Sequence, residues 1–483
     1  MIAIKVIKSN KIGITVACGL SLVPVTNWAA NKKTEAKKMN VVFILADDLR
    51  WNSLHCMGAD YLITPNIDAL AEAGVRFSNS YVTTAISCVS RASILTGKYM
   101  SRHGITGFEN NISETQFQST YPALLRKSGY YTGFVGKYGF GEGRESDFDY
   151  TAFVHKLIHW LPVKPDTKIE NLAGGYTRIL GDSIHITEKN GQDALRFLKT
   201  RPKDQPFNLS VSFYATHAED GHPDQYRYQP SSEKYYKNVA FPTSPTATEE
   251  CLRALPSFIS SEENEGRVRW HWRYETPEKY QKMMRGYYRM LTELDEVVGR
   301  IVAELKTEGV YENTMIVFMG DNGYFHSDHQ LADKWYPYEE ALKVPMIIYD
   351  PRIPVKNRGK ENKEYALNID IAPTLVSAAK ITIPDNMQGA DLSKLYLGKK
   401  PQSWRQDFYY EHPIITNKKR IPSSEALVSH TDKYILWPDY NFEEYFNLKT
   451  DPRETNNGIA KPENQQKIVK LKKRFQHLKS MAK

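Results

Sequence analysis

Two pairs of oxygen-bearing residues in this sequence are candidates for binding a hard metal ion. Asp47-Asp48 directly follows one short apolar run, and Asp321-Asn322 directly follows another. Both pairs supply only oxygen ligands, which suit Ca²⁺ or Mg²⁺ better than zinc. A single pair of this kind after a strand is most often a turn or a helix cap. The metal interpretation therefore depends on the two pairs lying in one place.

A serine and an arginine in the segment 87–97 form a candidate anion site. If a helix begins at Ser87 and ends before Gly97, Arg91 lies on the same face as Ser87, one turn later. A helix N-terminus beside a guanidinium group attracts anions. Taken alone, the pair has a structural alternative, in which Ser87 caps the helix and Arg91 makes an ion pair.

Four apolar segments must position these groups. Each reads as a short strand that runs directly into polar residues: 41–46 before Asp47, 315–320 before Asp321, 129–135 before Gly136-Lys137, and 207–214 before Thr216-His217. Because the runs are continuous rather than alternating, they indicate strands buried on both faces in a mainly parallel sheet. Such sheets gather ligands at the carboxyl ends of their strands, so we expect the four polar endings to converge on one site.

Helical patterns separate these strands. We expect helices over 66–73 and 278–305, and the alternation with strands predicts an α/β domain over residues 31–395. After residue 395, short aromatic runs broken by Pro and Asp predict a smaller antiparallel sheet, and a basic helix from about Asn464 ends the chain. Residues 396–483 are therefore expected to form a C-terminal α+β subdomain.

The beginning of the chain predicts export. Three lysines precede the apolar stretch 12–25, which is too short to span a bilayer. Residues 1–30 are expected to be a signal peptide of a periplasmic protein, with a lipoprotein signal at Cys18 as the less favoured alternative. No later apolar run has spanning length, so we expect no integral membrane segment in the mature chain. The other three cysteines lack the spacing of a disulfide framework.

The net charge of +8, from 64 basic and 56 acidic residues, resides at the ends of the chain. Residues 1–30 contribute three lysines and no acid, and residues 467–483 contribute seven basic residues and no acid. The body between them is close to neutral. Because the chain also lacks a recognised nucleic-acid module, we expect no nucleic-acid partner.

Together these motifs resemble the type I sulfatase family of the alkaline-phosphatase superfamily. The segment from Ser87 to Gly97 is similar to its signature of Cys or Ser, x, Pro, x, Arg and then Leu-Thr-Gly, with Val89 in place of Pro. Matching Arg91 to the signature arginine puts Ser87, rather than Cys88, at the position that the family converts to formylglycine. The resemblance implies an alkaline-phosphatase-like sandwich, with a large mixed, mainly parallel sheet between helices.

The resemblance also assigns a metal site. The family binds one divalent cation, and the expected ligands here, for Ca²⁺ or alternatively Mg²⁺, are Asp47, Asp48, Ser87 after its modification, Asp321 and Asn322. The serine form of the signature implies a radical formylglycine maturase as a partner.

Four further residues take roles by the same resemblance. Lys137 matches the sulfate-binding lysine of a Gly-Lys-Trp-His element, although Gly139 stands where the family carries the histidine. His217 is implied as the second sulfate ligand or as the acid that protonates the leaving group. Lys334 is implied as the second lysine, and His329, within the same motif, as a substrate ligand.

The implied chemistry is the hydrolysis of a sulfate ester through a hydrated aldehyde. One hydroxyl of the formylglycine hydrate attacks sulfur, and the other later expels sulfate as the aldehyde forms again. Arg91, Lys137 and Lys334 would hold the non-reacting oxygens and the developing charge. Unmodified Ser87 could complete only the first of these steps.

A basic segment bears on the substrate. From Arg267 to Arg273 the residue types alternate strictly, so an extended segment would place Arg267, Arg269, His271 and Arg273 on one face. Such a face would suit a polyanionic sugar, although an edge strand with a solvated basic face explains the pattern equally well.

The sequence therefore predicts a sulfatase that acts on a carbohydrate, namely a glycosaminoglycan-derived oligosaccharide or another sulfated glycan. Three alternatives remain at this point. A phosphodiesterase or phosphonate hydrolase of the same superfamily would share the metal site without needing the modification signature. An arylsulfatase would differ only in its pocket, and a non-catalytic glycan-binding protein would keep Ser87 unmodified.

Overall fold

The computed structural model describes residues 37–156, 158–164, 166–172, 177–398 and 401–483. The predicted signal peptide, including Cys18, lies outside these residues. Within them, no helix is both long enough and apolar enough to cross a membrane.

The strands of the described residues are numbered here in chain order. They are β1 (Asn40–Ala46), β2 (Val75–Phe77), β3 (Ser80–Tyr81), β4 (Tyr131–Gly136), β5 (Tyr150–Phe153), β6 (Trp160–Pro162), β7 (Lys168–Asn171), β8 (Thr177–Leu180), β9 (Ser183–His185), β10 (Phe207–Ser212), β11 (Thr314–Gly320), β12 (Phe325–His326), β13 (Ala332–Asp333), β14 (Met346–Tyr349), β15 (Lys360–Asn362), β16 (Ala366–Leu367), β17 (Asp407–His412), β18 (Ser424–Ser429), β19 (Asp432–Trp437) and β20 (Phe442–Asn447).

The α-helices are numbered in the same way. They are α1 (Pro65–Ala73), α2 (Ser87–Thr96), α3 (Met100–His103), α4 (Glu114–Phe117), α5 (Tyr121–Lys127), α6 (Ile186–Thr200), α7 (Glu249–Ala254), α8 (Glu265–Arg273), α9 (Pro277–Thr307), α10 (Glu339–Leu342), α11 (Ile371–Ala378) and α12 (Gln465–Ala482).

The four predicted strands lie side by side in an eight-stranded sheet of order β15-β2-β14-β11-β1-β10-β4-β5. The strands β11, β1, β10, β4 and β5 run parallel to one another, whereas β14 is antiparallel to both β11 and β2. Ala46 pairs with Gly320, Leu45 with Ser212, and Ser212 with Gly136, so these strands end at nearly one level. The prediction that their polar endings converge is confirmed.

Helices cover both faces of this sheet. Along β1, Val41, Phe43 and Leu45 pack into one apolar core, and Val42 and Ile44 pack into the other. This is the two-residue period of a strand that is buried on both faces. Residues of α2, α5 and α11 belong to the first core, and residues of α1, α6 and α9 belong to the second. The predicted mixed, mainly parallel sheet between helices is therefore confirmed.

The predicted antiparallel sheet near the C-terminus is formed by β17-β18-β19-β20. One face, which includes Tyr410 and Trp437, belongs to the core on the α2 side of the large sheet. The other face, which includes Tyr409 and Tyr434, packs against Phe475 of α12. Residues 38–483 form one compact unit, and the domain boundary at residue 395 stays a prediction.

The basic segment that we expected to be extended is instead the helix α8. Asn264 caps it by accepting a hydrogen bond from Gly266 N at 2.9 Å, and Arg269 donates to Glu265, one turn back, at 2.6 Å. The strict alternation of basic and apolar residues was outweighed by this capping. Because helical residues two positions apart do not share a face, the predicted basic face is wrong.

Candidate active site

The site is built where β1, β11, β4 and β10 end. Asp47 and Asp48 directly follow β1, Asp321 directly follows β11, and Lys137 directly follows β4. His217 lies in the loop after β10. Each catalytic or metal-binding residue that the sequence predicted for these four strand ends is within this cluster.

Ser87 is the first residue of α2 and points into the cluster. Its Oγ lies 3.0 Å from Asp47 Oδ1 and 3.4 Å from Asn322 Oδ1, and only 1% of the residue is exposed. Its neighbour Cys88 belongs instead to the apolar core, where burial raises the pKa of the thiol to about 12. The two adjacent residues therefore have opposite surroundings, and only Ser87 faces the carboxylates.

Arg91 fixes the geometry of the carboxylates from the next turn of α2. Its Nε donates to Asp321 Oδ2 at 2.8 Å, its Nη2 lies 3.3 Å from Asp47 Oδ2, and its Nη1 donates to Lys137 O at 2.9 Å. Because Arg91 is only 2% exposed, these charge-assisted hydrogen bonds are shielded from water.

Gly139, where the family carries a histidine, lies against this arginine. Its φ is +97°, and a Cβ atom on it would stand 2.4 Å from Arg91 Cδ. No side chain fits there without displacing Arg91, so the missing histidine follows from the path of this loop.

Two buried lysines contact the first pair of carboxylates. Lys137 Nζ binds Asp47 Oδ2, and Lys334 Nζ binds Asp48 Oδ1. Lys334 also lies 3.5 Å from the carboxylate of Asp333, the residue before it. Burial alone would lower the pKa of Lys334, yet the charges of Asp48 and Asp333 raise it well above its usual value. Lys334 is therefore held as a cation.

His217 is the most exposed of the predicted catalytic side chains, at 17%. Its Nδ1 lies 2.6 Å from Ala218 O, and its Nε2 lies 3.6 Å from Asp48 Oδ2. Since a carbonyl can only accept, Nδ1 is the donor to Ala218, and Nε2 is the nitrogen that faces the site. The imidazole thus stands between solvent and the buried carboxylates.

The carboxylates have opposing electrostatic surroundings. Burial works against ionisation of Asp47, but Lys137 and Arg91 hold its pKa well below the usual range. Burial and the nearby charge of Asp47 raise the pKa of Asp321. Three carboxylates and three cations thus share one enclosed site, and an added divalent cation would relieve the repulsion between the carboxylates.

The donor set fits a hard cation. Oxygen atoms of Asp47, Asp48, Asp321 and Asn322 converge beside Ser87, and Asp48 Oδ2 is buried with no hydrogen-bond partner among the described residues. Asp47, Asp48 and His217 also place one potential ligand atom each within 4.8 Å of one another. An orphaned carboxylate oxygen in a set of oxygen donors is what a Ca²⁺ or Mg²⁺ site requires.

The predicted substrate ligands are placed differently. His329 is fully buried and stacks on Tyr338, with ring centroids 5.8 Å apart. This contact is not part of the cluster around Ser87. Arg267 and His271 both bind Glu262, at 2.8 and 2.6 Å. Their substrate-binding roles stay predictions, and these contacts do not favour them.

Arg269 and Arg273 of α8, in contrast, bind two acids that lie beside the cluster. Both bind Asp220 and Asp333, and Asp333 in turn adjoins Lys334. Sequence reasoning missed both acids, although each has a signal. Asp333 directly precedes a predicted catalytic lysine, and Asp220 lies three residues after His217.

Comparisons with known proteins agree with this geometry. A family model described as sulfatase matches residues 39–381, and a model described as the C-terminal part of N-sulphoglucosamine sulphohydrolase matches residues 327–481. An N-acetylglucosamine-6-O-sulfatase of Bacteroides thetaiotaomicron is 28% identical and is aligned over 97% of this chain and 90% of its own length. An arylsulfatase of Clostridium perfringens is also 28% identical, over 90% of this chain and 93% of its own.

Solved structures share the fold. A protein in complex with its substrate D-glucosamine-2-N,6-O-disulfate superposes with a TM-score of 0.75 and 25% identity, covering 92% of this chain and 98% of its own. A phosphonate monoester hydrolase of Agrobacterium radiobacter superposes with a TM-score of 0.73 and 20% identity, covering 92% of this chain and 96% of its own. The second likeness is evidence for the fold alone.

Proposed function

The chain belongs to the sulfatase family, and from that premise we propose that it removes the 6-O-sulfate from glucosamine units of sulfated glycans. The family membership makes it a sulfuric ester hydrolase, and its N-acetylglucosamine-6-sulfatase relatives support action on glycans. The names of its relatives support the finer statement, since the N-acetylglucosamine-6-O-sulfatase is aligned over nearly the whole chain. Glycosaminoglycan fragments contain such units.

The observation that carries the proposal is the arrangement of charge around Ser87 Oγ. Arg91, Lys137 and Lys334 balance Asp47, Asp48 and Asp321, so a bound divalent cation would leave the site with a net positive charge. A sulfate ester carries one negative charge, and a second develops on the leaving oxygen as the ester bond breaks. A preorganised positive site stabilises that transition state, each contact by roughly 2–4 kcal/mol.

We assign the cation to Asp47, Asp48, Asp321 and Asn322, with the modified Ser87 completing the set. The oxygen ligands favour Ca²⁺, and Mg²⁺ is the alternative. When bound, the cation supplies Lewis-acid stabilisation of a nucleophilic oxygen on residue 87. Lys137 and Arg91 keep Asp47 ionised and thereby available as a ligand.

The nucleophile is assigned to a formylglycine made from Ser87. Its hydrate has one hydroxyl to attack sulfur and a second from which the aldehyde forms again as sulfate departs. Asp47 and Asn322 fix the direction in which this side chain points, because both lie within hydrogen-bonding distance of the serine Oγ. Ser87 lacks the second hydroxyl without the modification.

The substrate enters beside His217 in this proposal. Lys137 and Lys334 hold the non-reacting sulfate oxygens, and His217 Nε2 donates a proton to the departing sugar oxygen. The hydrogen bond from Nδ1 to Ala218 O fixes the ring so that Nε2 faces the site. Asp220, which has a partly exposed side chain, is positioned near this entrance to accept hydrogen bonds from sugar hydroxyls.

The proposal also includes maturation and location. A serine-type radical maturase is the partner that converts Ser87, and residues 1–30 are proposed to direct export to the periplasm. Intact-mass measurement of protein made in its native host tests both statements, because the modification removes two hydrogens and cleavage removes the leader.

The function is tested with protein co-expressed with a serine-type maturase. We expect sulfate release from N-acetylglucosamine 6-sulfate, at a kcat/KM at least about 100-fold above that for the 3-sulfate of the same sugar or for a phosphonate monoester. Ser87→Cys made with a cysteine-type maturase is a second route to the same nucleophile. Release from another sugar position would overturn the 6-O assignment alone, whereas failure of both proteins on a whole panel of sulfated saccharides would overturn the proposed function.

A further inference from the structure

A cavity outside the cluster around Ser87 lies beside the loop that follows His217. Its volume is about 550 Å³, and its walls come from Trp160, the loop 224–230 and the helix α9. The side chains of Trp160 and Tyr228 are partly exposed in it. None of the groups around Ser87 lines this cavity, so it is separate from the active site.

Two arginines of α9 give the cavity a positive surplus. Arg285 Nε donates to Tyr236 O at 3.0 Å, and Arg289 Nε donates to Tyr235 O at 3.0 Å. All the hydrogen bonds of these two guanidinium groups within the described residues go to backbone carbonyls, and neither has a carboxylate within ion-pair distance there. Within the described part of the chain, no carboxylate therefore forms an ion pair with either arginine.

The other charged groups of the wall nearly cancel. Arg227 is paired with Glu219 at 3.1 Å, and Lys282 with Asp224 at 2.7 Å. Among the described residues, the one remaining acid of the wall is Glu233, whose exposed carboxylate offsets one of the two positive charges of Arg285 and Arg289. The wall thus keeps a net positive charge, which attracts anions.

Aromatic rings stand next to these cations. The guanidinium carbon of Arg289 lies 4.4 Å from the centroid of the Tyr228 ring, and Trp160 lines the same cavity. An aromatic face packs against the apolar face of a sugar ring, and a guanidinium group binds a sulfate or carboxylate through two parallel hydrogen bonds. The combination suits a sugar that carries an anionic group.

The cavity is close to the active site through two contacts. Arg227 N donates to His159 Nδ1 at 3.1 Å, and the opposite ring nitrogen of His159 lies 2.9 Å from His217 O. Trp160, in the cavity wall, directly follows His159. One layer of side chains therefore separates the cavity from the backbone of His217.

We propose that this cavity binds an anionic sugar unit, bearing sulfate or carboxylate, outside the catalytic pocket. Its use for a neighbouring unit of the enzyme's own substrate rests on the proposed function. The binding itself does not, because it depends only on the arginines and aromatic rings of the cavity.

The test measures binding to full-length Ser87→Ala protein, which cannot turn over substrate. Isothermal titration is carried out with a heparin-derived tetrasaccharide, with its fully desulfated, N-acetylated form and with inorganic sulfate. We expect Arg285→Gln/Arg289→Gln to weaken tetrasaccharide binding by at least about tenfold. Lys282→Glu, at an exposed position of the wall, should weaken it by about threefold, since it reverses one charge without changing a buried contact.

Arg300→Gln is the matched control, because Arg300 lies on the same helix, pairs with Glu188 and does not line the cavity. If Lys282→Glu and any folded arginine variant bind the tetrasaccharide as tightly as Arg300→Gln does, the proposal is overturned. Inorganic sulfate binding as tightly as the tetrasaccharide would also overturn it, since the cavity would then be a simple anion site. If the matured enzyme shows no sulfatase activity but tetrasaccharide binding still depends on the two arginines, the proposed function is overturned and this inference is kept.

Discussion

Gly139 makes room for Arg91: a Cβ atom at position 139 would stand 2.4 Å from Arg91 Cδ. We therefore expect Gly139→Ala to displace the guanidinium group and to lower kcat by about 100-fold or more, because Arg91 orients both Asp321 and Asp47. Steady-state kinetics of the matured enzyme measures the effect.

Gly104→Ala is the control for this substitution. Gly104 also has a positive φ, +75°, but nothing lies within 4 Å of the position that its Cβ would take. Both variants carry a backbone strain of roughly 1–2 kcal/mol, and only Gly139→Ala meets Arg91. Equal activity of the two variants would contradict the role given to Gly139.

The adjacent residues Ser87 and Cys88 should respond oppositely to substitution. Ser87→Ala should abolish activity and the loss of two hydrogens in the intact mass, since the modified side chain is gone. Cys88→Ala should keep both and lose only about 1 kcal/mol of stability, because its side chain packs in the apolar core. Modification of Cys88 in the mass spectrum would show that the opposite register is correct.

Substitution of two buried, ion-paired lysines, Lys334 and Lys433, distinguishes a catalytic role from a structural one. We expect Lys334→Met to lower kcat by about 10²–10³ because its ammonium group holds sulfate oxygens. Both substitutions remove one partner of a buried ion pair, so both should lower the free energy of unfolding, by about 3–5 kcal/mol for Lys433→Met, whose lysine is fully buried between Glu454 and Glu339. Only Lys334→Met should also lower kcat. Kinetics and denaturant unfolding of both variants distinguish the roles, and a purely structural effect of Lys334→Met would count against the sulfate site.

A divalent cation should stabilise the folded protein. Asp48 Oδ2 is buried and has no hydrogen-bond partner among the described residues, so a cation that binds it is expected to raise Tm after removal of metal by chelation. At a concentration about 100 times Kd the gain is about 2.7 kcal/mol. Asp48→Asn should lose most of this shift and the exposed Asp60→Asn should keep it. No shift with either Ca²⁺ or Mg²⁺ would contradict the metal assignment.

Glu444 should make the protein less stable as the pH rises. Burial raises its pKa to about 7, above the usual value of 4.5, although Trp437 and Tyr338 donate hydrogen bonds to its carboxylate. Between these two values the unfolded chain binds fewer protons than the folded protein, so the free energy of unfolding falls as pH increases. The full effect is on the order of 3 kcal/mol.

Glu444→Gln tests this dependence, because the amide has no charge to bury. Unfolding by urea at pH 5 and pH 8 should show a smaller loss of stability in the variant than in the wild type. Glu443→Gln is the control: Lys472 and Tyr434 lower the pKa of that neighbour despite its partial burial, so its contribution changes only below about pH 4.5. An unchanged pH dependence in Glu444→Gln would rule out the raised pKa.

The converging strand ends were predictable because buried parallel strands have continuous apolar sequences and a fixed direction. Such strands must end at one edge of the sheet, which places Asp47, Asp321 and Lys137 together once the runs are recognised. The position of Ser87 followed from the spacing to Arg91 within one helix. These features depend on local patterns that the tertiary structure does not override.

The surroundings of α8 were not predictable in the same way. An alternating pattern predicts a strand, and the nine-residue helix forms because Asn264 caps it and because Arg269 and Arg273 find Asp220 and Asp333. Those partners are distant in sequence. The fit between Gly139 and Arg91 depends likewise on a positive φ in a loop, which a single sequence does not reveal.

The position of α12 has a consequence for the order in which the parts of the fold can assemble. This helix covers one face of the C-terminal sheet, and Ala482 O accepts hydrogen bonds from Ser101 and Gln388. Four of the seven basic residues of 467–483 pair with acids of the sheet, so part of the positive charge of this segment is neutralised within the fold; the four are Lys467, Lys472, Arg474 and Lys479. Because Ser101 lies in α3, the native packing around that helix is complete only when α12 has docked on the sheet.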